Sequence, residues 1–317
     1  MHTTDRPVLR IGHSPDPDDA FMWFPLTGIE GECGPLIDTG RFAFEAVALD
    51  IETLNQKAQQ SAELEITAIS TAQYPYIADR YALTSCGASM GSGYGPRLVA
   101  RRDVLGDAVP ESAAAVSRWV GGSDGRSIRL AIPGERTSAW LAMRLMMQAE
   151  ARIAPDAVTA EPVPFDEILP RVADGEFDAG LVIHEGQLTF EQYGLVLLQD
   201  MGQWWGAHSG TPLPLGANTI RLDLEAQHGP GTLREVTTTL SSSIAYALEH
   251  RDQAIDYALK FGRGLDRALA EQFVSMYVNK HTIDYGEQGR EGVRRFLHEA
   301  AEAGLCPEAA VTIITPA

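Results

Sequence analysis

Cysteine is scarce in this chain. Cys33, Cys86 and Cys306 are odd in number, far apart, and form no Cys-x-x-Cys pair. That pattern excludes a disulfide framework and a cysteine-based zinc site, and it suits reduced thiols in a cytosolic protein. Positive charge is also short. Twenty-five Lys and Arg stand against 43 Asp and Glu, a formal net charge of −18 over 317 residues. Basic residues adjoin only as pairs such as Arg101-Arg102, so the basic stripe that a phosphate backbone needs is missing and nucleic acid is excluded as a partner. Apolar runs stay well below the ~18 residues that crossing a bilayer takes, so no membrane span is expected. The first residues, Met1 to Pro7, hold no apolar segment of the kind an export leader carries, which makes the cytoplasm the expected compartment. Repeats, low-complexity tracts and coiled-coil heptads are absent too.

What remains is ordinary globular composition, 44% apolar and 21% charged, in a chain long enough for two domains with real cores. Strand-like and helical stretches alternate through its first two thirds. Val8 to Gly12, Phe42 to Leu49, Glu65 to Ile69, Arg97 to Ala100, Ile128 to Ile132, Ala179 to Ile183 and Leu195 to Leu198 read as strands. Asp50 caps a helix from Ile51 to Ala58, Ser70-Thr71 opens one running through Arg80, and helices follow at Ala139 to Ala151 and Phe165 to Ala173. Pro17 suits a first helical turn, where Asp18 and Asp19 complement the positive end of the dipole. The polar, alanine-rich interval Asp103 to Ser127 is a decoration, a helix near Ala113 to Val116 plus a Gly-Gly-Ser-Asp-Gly loop. Leu213 to Asn218 is an extended Pro/Gly-rich linker. Four helical stretches close the chain: Leu233 to His250, Asp252 to Phe261, Leu265 to Asn279 and Gly289 to Ala303.

Two chemical motifs fail on context. Gly87-Ala88-Ser89-Met90-Gly91 matches a nucleophile elbow, but an elbow needs a helix directly after it, and here glycine, proline and a strand follow. Gly91, Gly93 and Gly95 suggest a nucleotide loop yet lack both the Lys-Ser/Thr of a P-loop and the helix of a dinucleotide fingerprint. A close-packed turn is the better reading.

The informative stretch is Ala179 to Gly186. A short, fully apolar run, the mark of a strand buried on both faces, ends abruptly in His184-Glu185. A short helix over Gln187 to Tyr193 follows, stopped by Gly194. Open α/β sheets bind ligands outside the carboxyl ends of their parallel strands, where such a histidine emerges. The bland alternative is a strand-end histidine bonded to a neighbour. Small hydroxyls sit at three other strand-to-helix junctions: Ser14, Ser70 and Thr137-Ser138. Plain N-capping explains each one singly; together they suit a small anionic substrate held by hydroxyls and free amides, which an acidic protein can still bind locally.

The series Ser14-Pro15-Asp16-Pro17-Asp18-Asp19-Ala20-Phe21, Leu49-Asp50-Ile51-Glu52-Thr53-Leu54-Asn55, Gly91-Ser92-Gly93-Tyr94-Gly95-Pro96, Pro133-Gly134-Glu135-Arg136-Thr137-Ser138-Ala139, Gly180-Leu181-Val182-Ile183-His184-Glu185 and Leu213-Pro214-Leu215-Gly216 resembles, in order and over nearly the whole chain, the 1,4-dihydroxy-6-naphthoate synthase family of the futalosine route to menaquinone. The resemblance implies an α/β, two-lobed type II periplasmic-binding-protein-like fold with mixed sheets and a ligand cleft between the lobes. Residues 1–98 and 218–317 would form lobe 1, with the carboxy-terminal helices packed on it, and 99–217 lobe 2. It further implies a lyase that cleaves cyclic dehypoxanthinyl futalosine into 1,4-dihydroxy-6-naphthoate and a three-carbon fragment, without metal or other cofactor. A homodimer is left open.

By the same resemblance His184 is the catalytic base, and the substrate contacts fall on Ala68, Ile69, Ser70, Thr137 and Ser138, with Ser14 beside them. Glu185 either orients His184 or is solvated. The chain departs from the family pattern at Ala68, where a lysine is frequent, leaving Ser70, main-chain amides or Arg136 to compensate. Asp16 and Asp18 stand where Cys and Asn are usual, and the Asp103–Ser127 interval is longer than common. Chorismate dehydratase shares the fold, but Ile183-His184-Glu185 favours the synthase. A solute-binding protein would require export.

Overall fold

The computed structural model describes residues 6–29, 33–105, 113–121, 127–149, 153–154, 157–261 and 266–317. Apart from Gly121, the Gly-Gly-Ser-Asp-Gly loop lies outside them, as does the expected end of the helix at Ala151. In chain order the elements begin β1 (Val8–His13), α1 (Pro17–Thr27), β2 (Ala43–Ala48), α2 (Ile51–Gln60), β3 (Ile66–Ser70), β4 (Tyr81–Thr84) and β5 (Ser89–Gly91). Next come β6 (Arg97–Arg101), α3 (Ala113–Gly121), β7 (Ile128–Ile132), α4 (Ser138–Ala149), β8 (Val158–Pro162), α5 (Phe165–Ala173), β9 (Ala179–Val182), α6 (Gly186–Thr189), β10 (Leu195–Asp200) and α7 (Met201–Ser209). The chain closes with β11 (Leu213–Arg221), α8 (Leu224–His228), α9 (Thr232–Glu249), α10 (Arg251–Ala258), α11 (Arg267–Tyr277), α12 (Lys280–Ile283), α13 (Gly286–Glu302) and β12 (Ile313–Ile314).

These elements form two compact units. The first comprises residues 1–90, 216–290 and 309–317; the second comprises 91–215 and 291–308. The sheet of the first unit runs β12-β4-β11-β3-β1-β2, with β5 also paired to β11. There β1 is parallel to β2 and β3, while β11 lies antiparallel between β3 and β4. The second sheet runs β10-β6-β9-β7-β8, with β7 parallel to β8 and β9, and β6 antiparallel to β9. Each unit therefore repeats one plan: three parallel strands in order 2-1-3, joined through helices, and a fourth, antiparallel strand beside the third. Carboxyl ends of parallel strands are the ligand-binding edge of such sheets. His184 follows β9, Thr137-Ser138 follow its neighbour β7, Ser70 ends β3, and Ser14 follows its neighbour β1.

Local chemistry explains most boundaries. Asp50 accepts the amides of Glu52 and Thr53 at 2.8 and 3.1 Å, capping α2 as expected. Gly194 takes a left-handed conformation, φ 71°, and ends the turn over Phe190–Tyr193. Helix α1 has ten of its eleven residues buried, a helix apolar nearly all round and therefore a core element. Its Phe21, Met22, Trp23 and Phe24 share a core with Leu240 and Ile244 of α9 and Ile255 of α10.

Two expectations give way to the structure, one at the Ser70-Thr71 helix and one at the last long helix. The helix opened by Ser70-Thr71 is only a 3₁₀ turn over Thr71–Tyr76, because Pro75 removes a donor and blocks propagation. Gln203-Trp204-Trp205-Gly206 form the middle of α7, which is capped by Asp200 accepting from Gly202 and Gln203. The linker is itself part of a nine-residue strand, β11, and the chain passes from the second unit to the first within it, between Leu215 and Gly216. The last long helix does not belong wholly to the first unit. Phe296 packs edge-on against Trp205 at 5.3 Å and Arg295 donates to the Ser209 carbonyl at 2.8 Å, so 291–308 joins the second.

Candidate active site

In the second unit, β9 is buried along its length and its helix lies unusually close. A Cβ on Gly180 would stand 2.6 Å from Ile168 Cγ2 and 2.9 Å from Val172 Cγ2, so glycine is what lets α5 seat on the strand. Two residues past the strand, His184 adopts φ 52°, a left-handed backbone. Outside glycine this region is uncommon and costs about 1–2 kcal/mol, and histidine is among the side chains enriched there. Such strain concentrates at functional sites. The imidazole is half-buried and meets the Phe165 ring edge-on, centroids 4.7 Å apart at 65°. Glu185 is also half-buried and makes no side-chain cap to α6.

Thr137 behaves as an N-cap: its hydroxyl donates to the Gly134 carbonyl at 2.8 Å and accepts the Trp140 amide at 3.3 Å. The Ser138 hydroxyl donates to the Leu215 carbonyl at 2.6 Å. Both are buried.

In the first unit, Ser14 is tied to α1: its amide and hydroxyl both donate to Asp19 Oδ2, at 2.7 and 3.0 Å. Ser70 is held by a residue that was not singled out in the sequence. Asn55 of α2, fully buried, accepts the Ser70 amide at 2.9 Å and donates its amide nitrogen to the Ser70 hydroxyl at 3.2 Å. An amide on the apolar face that carries Leu54 and Ala58 was the available signal. Ser14, Thr137 and Ser138 each donate their hydroxyl to a protein oxygen, whereas the Ser70 hydroxyl accepts from Asn55. Ala68 and Ile69 are buried strand residues, Ala68 within an apolar cluster with Leu54 and Leu64.

Asp18 lies in the first turn of α1, as expected. It is buried with Asp16 and Asp19, and its contact is the Ser89 hydroxyl, which donates to it at 3.2 Å. Ser89 thus lies on a short strand, not on an elbow. Burial first, then the charges of Asp19 and Asp16, push the Asp18 carboxyl well above the usual carboxylate range. A raised folded-state pKa gives stability that is complete below the ordinary carboxylate range and is lost as pH rises through the raised value. Asp18→Asn, neutral at every pH, is therefore expected to raise the melting temperature at neutral and alkaline pH, with the gain shrinking as pH falls towards 4. Superimposable profiles of melting temperature against pH for the two proteins would mean that this carboxyl is not held protonated.

The glycine-rich turn is a packing device. The Tyr94 carbonyl oxygen lies 1.9 Å from where a Cβ would stand on Gly91 and equally 1.9 Å from that position on Gly202. No side chain fits at either point.

Two mixed α/β units of this plan define the class. A periplasmic nitrate-binding protein from Synechocystis matches over 96% of this chain and 84% of its own at a TM-score of 0.65, with 13% identity, a likeness of fold: this is a two-lobed, type II periplasmic-binding-protein-like architecture. A family model described as menaquinone biosynthesis matches residues 9–302. A 1,4-dihydroxy-6-naphthoate synthase from Thermus thermophilus is 35% identical over 298 residues, 94% of this chain and 96% of that protein. A crystal structure of a protein from Archaeoglobus fulgidus is 38% identical, with a TM-score of 0.76 over 96% of this chain and all of the other. The chain belongs to the 1,4-dihydroxy-6-naphthoate synthase family of menaquinone-biosynthesis enzymes. Among the described residues no helix is long and apolar enough to cross a membrane.

Proposed function

We propose that this enzyme is a carbon–carbon lyase that converts cyclic dehypoxanthinyl futalosine to 1,4-dihydroxy-6-naphthoate, with His184 as the base. The observation that carries this reading is the placement of His184 on a left-handed backbone just beyond the carboxyl end of a buried parallel strand. An imidazole is suited to take a proton near neutral pH. Loss of a proton from the bicyclic ketone portion of the substrate opens the route to carbon–carbon cleavage, and aromatisation of the bicycle draws the reaction forward. Ser14, Ala68, Ile69 and Ser70 of the first unit and Thr137 and Ser138 of the second are assigned to substrate binding, through hydroxyls and main-chain amides. The acidic chain would act in the cytoplasm on an anionic small molecule, without a cofactor.

The test is a product assay by mass. Purified protein given the cyclic futalosine should release 1,4-dihydroxy-6-naphthoate. Consumption of chorismate instead would make it the dehydratase of the same route, and binding without turnover would leave a solute binder.

The hydroxyls separate by how they are already engaged. Ser70→Ala should weaken substrate binding by about 1 kcal/mol or more, the scale of a lost hydrogen bond, and, by taking an acceptor from the buried Asn55 amide nitrogen, should also lower the melting temperature by about 2–4 °C. Thr137→Ala should also weaken binding and cost about 1 kcal/mol of stability as a lost cap. Titration calorimetry and thermal melts on both variants check this; unchanged affinity in both would move the pocket elsewhere.

A further inference from the structure

Phe165 is the first residue of α5, and the chain delivers it there rigidly. The Val163 amide donates to the carbonyl of Ile132 at the end of β7, at 2.9 Å, and Pro164 fixes the entry to the helix. Phe165, Ile168 and Val172 fall at positions i, i+3 and i+7, one stripe of the helix. The lower members of that stripe rest on the bare Cα of Gly180. The uppermost, Phe165, therefore reaches past the end of β9 to the imidazole of His184. Leu169, from the same helix, fills the space beside Gly186, 3.5 Å from where its Cβ would stand.

From this geometry we infer that Phe165 is a positioning residue for His184, and it matters in this way only if His184 is the base proposed above. The left-handed backbone swings the side chain off the line of β9. The edge-on ring at 4.7 Å then walls one side of the imidazole and restricts its rotamers. A base must stand within hydrogen-bond reach of the proton it removes, so an imidazole free to turn spends less time aligned. Gly180, Ile168 and Val172 thus set the place of a ring that none of them touches in sequence.

Phe165→Leu keeps an apolar side chain but removes the planar wall. It is expected to lower kcat roughly tenfold with KM within about twofold of wild type, and Phe165→Tyr should recover most of that loss. The readout independent of turnover is the proton spectrum of the His184 ring. In wild type its carbon-bound protons should show a ring-current shift and cross-relaxation with Phe165, both lost in Phe165→Leu while distant resonances of the unit stay in place. Unchanged kcat in Phe165→Leu, or a loss carried by KM alone, would overturn the inference. Absence of cross-relaxation between the two rings in wild type would overturn it without any variant, should Phe165→Leu fail to fold. If His184→Ala instead retained turnover, the base assignment would fall while the ring contact still showed in the spectrum, so the two failures are distinguishable.

Discussion

His184→Ala is expected to fold, to bind ligand and to lose turnover by at least ~10²-fold, the scale of a general base. Folding should survive because alanine at φ 52° gives up only the modest preference that histidine has for this region, against a total backbone cost of about 1–2 kcal/mol. What the variant forfeits in stability is the edge contact with Phe165, worth about 0.5–1.5 kcal/mol. His184→Asn sharpens the comparison: asparagine tolerates the left-handed region and offers hydrogen bonds, but it takes up no proton near neutrality. Both variants should therefore show near-native melting temperatures and ligand affinity with collapsed kcat. Steady-state kinetics on the cyclic futalosine beside calorimetric binding makes the separation. Near-full turnover in either variant would remove His184 from the chemistry.

The largest stability effect should come from a residue with no chemistry at all. Gly202→Ala would set a methyl group 1.9 Å from the Tyr94 carbonyl oxygen and 2.1 Å from its carbon, with the Gly95 amide nitrogen at 2.7 Å. Those are backbone atoms in a close-packed turn, so no rotamer change relieves the clash. A cost of about 3 kcal/mol or more follows from overpacking of this severity, or a fall in melting temperature of roughly 6–12 °C. Gly206 is the control. It lies in the same helix with nothing within 4 Å of its Cβ position, and alanine there should be neutral or stabilising by about 0.5–1 kcal/mol. Melts followed by circular dichroism suffice; equal midpoints for Gly202→Ala and wild type would show that the turn opens freely.

Much of the scaffold was legible because its signals are local. Asp50 as a cap, Gly194 as a stop and the buried run Ala179 to Val182 are each written within a few residues of where they act. Strand β8 escaped notice because Val158-Thr159-Ala160-Glu161-Pro162 is an edge strand with a half-exposed pattern and no strong apolar periodicity. Helix α7 escaped because its apolar residues, Met201, Trp204 and Trp205, are interleaved with Gly202 and Gly206. The fate of α13 depended on a Trp205–Phe296 contact ninety-one residues apart in sequence.

The same division runs through the candidate site. Strand ends, caps and breaks, and hence the positions of Ser14, Ser70, Thr137, Ser138 and His184 at the carboxyl edges of parallel strands, follow from hydrogen bonds and sterics among near neighbours, and the sequence by itself determined them. Only the tertiary structure decided that Asn55 holds Ser70, that Asp18 is sealed from water among carboxylates, and that Phe165 meets His184. The first and last depend on how closely helices seat on strands, a distance set by side-chain volumes at Leu54, Gly180 and their partners, and the second on Ser89, 71 residues away, reaching Asp18; all are brought together only when the chain has folded.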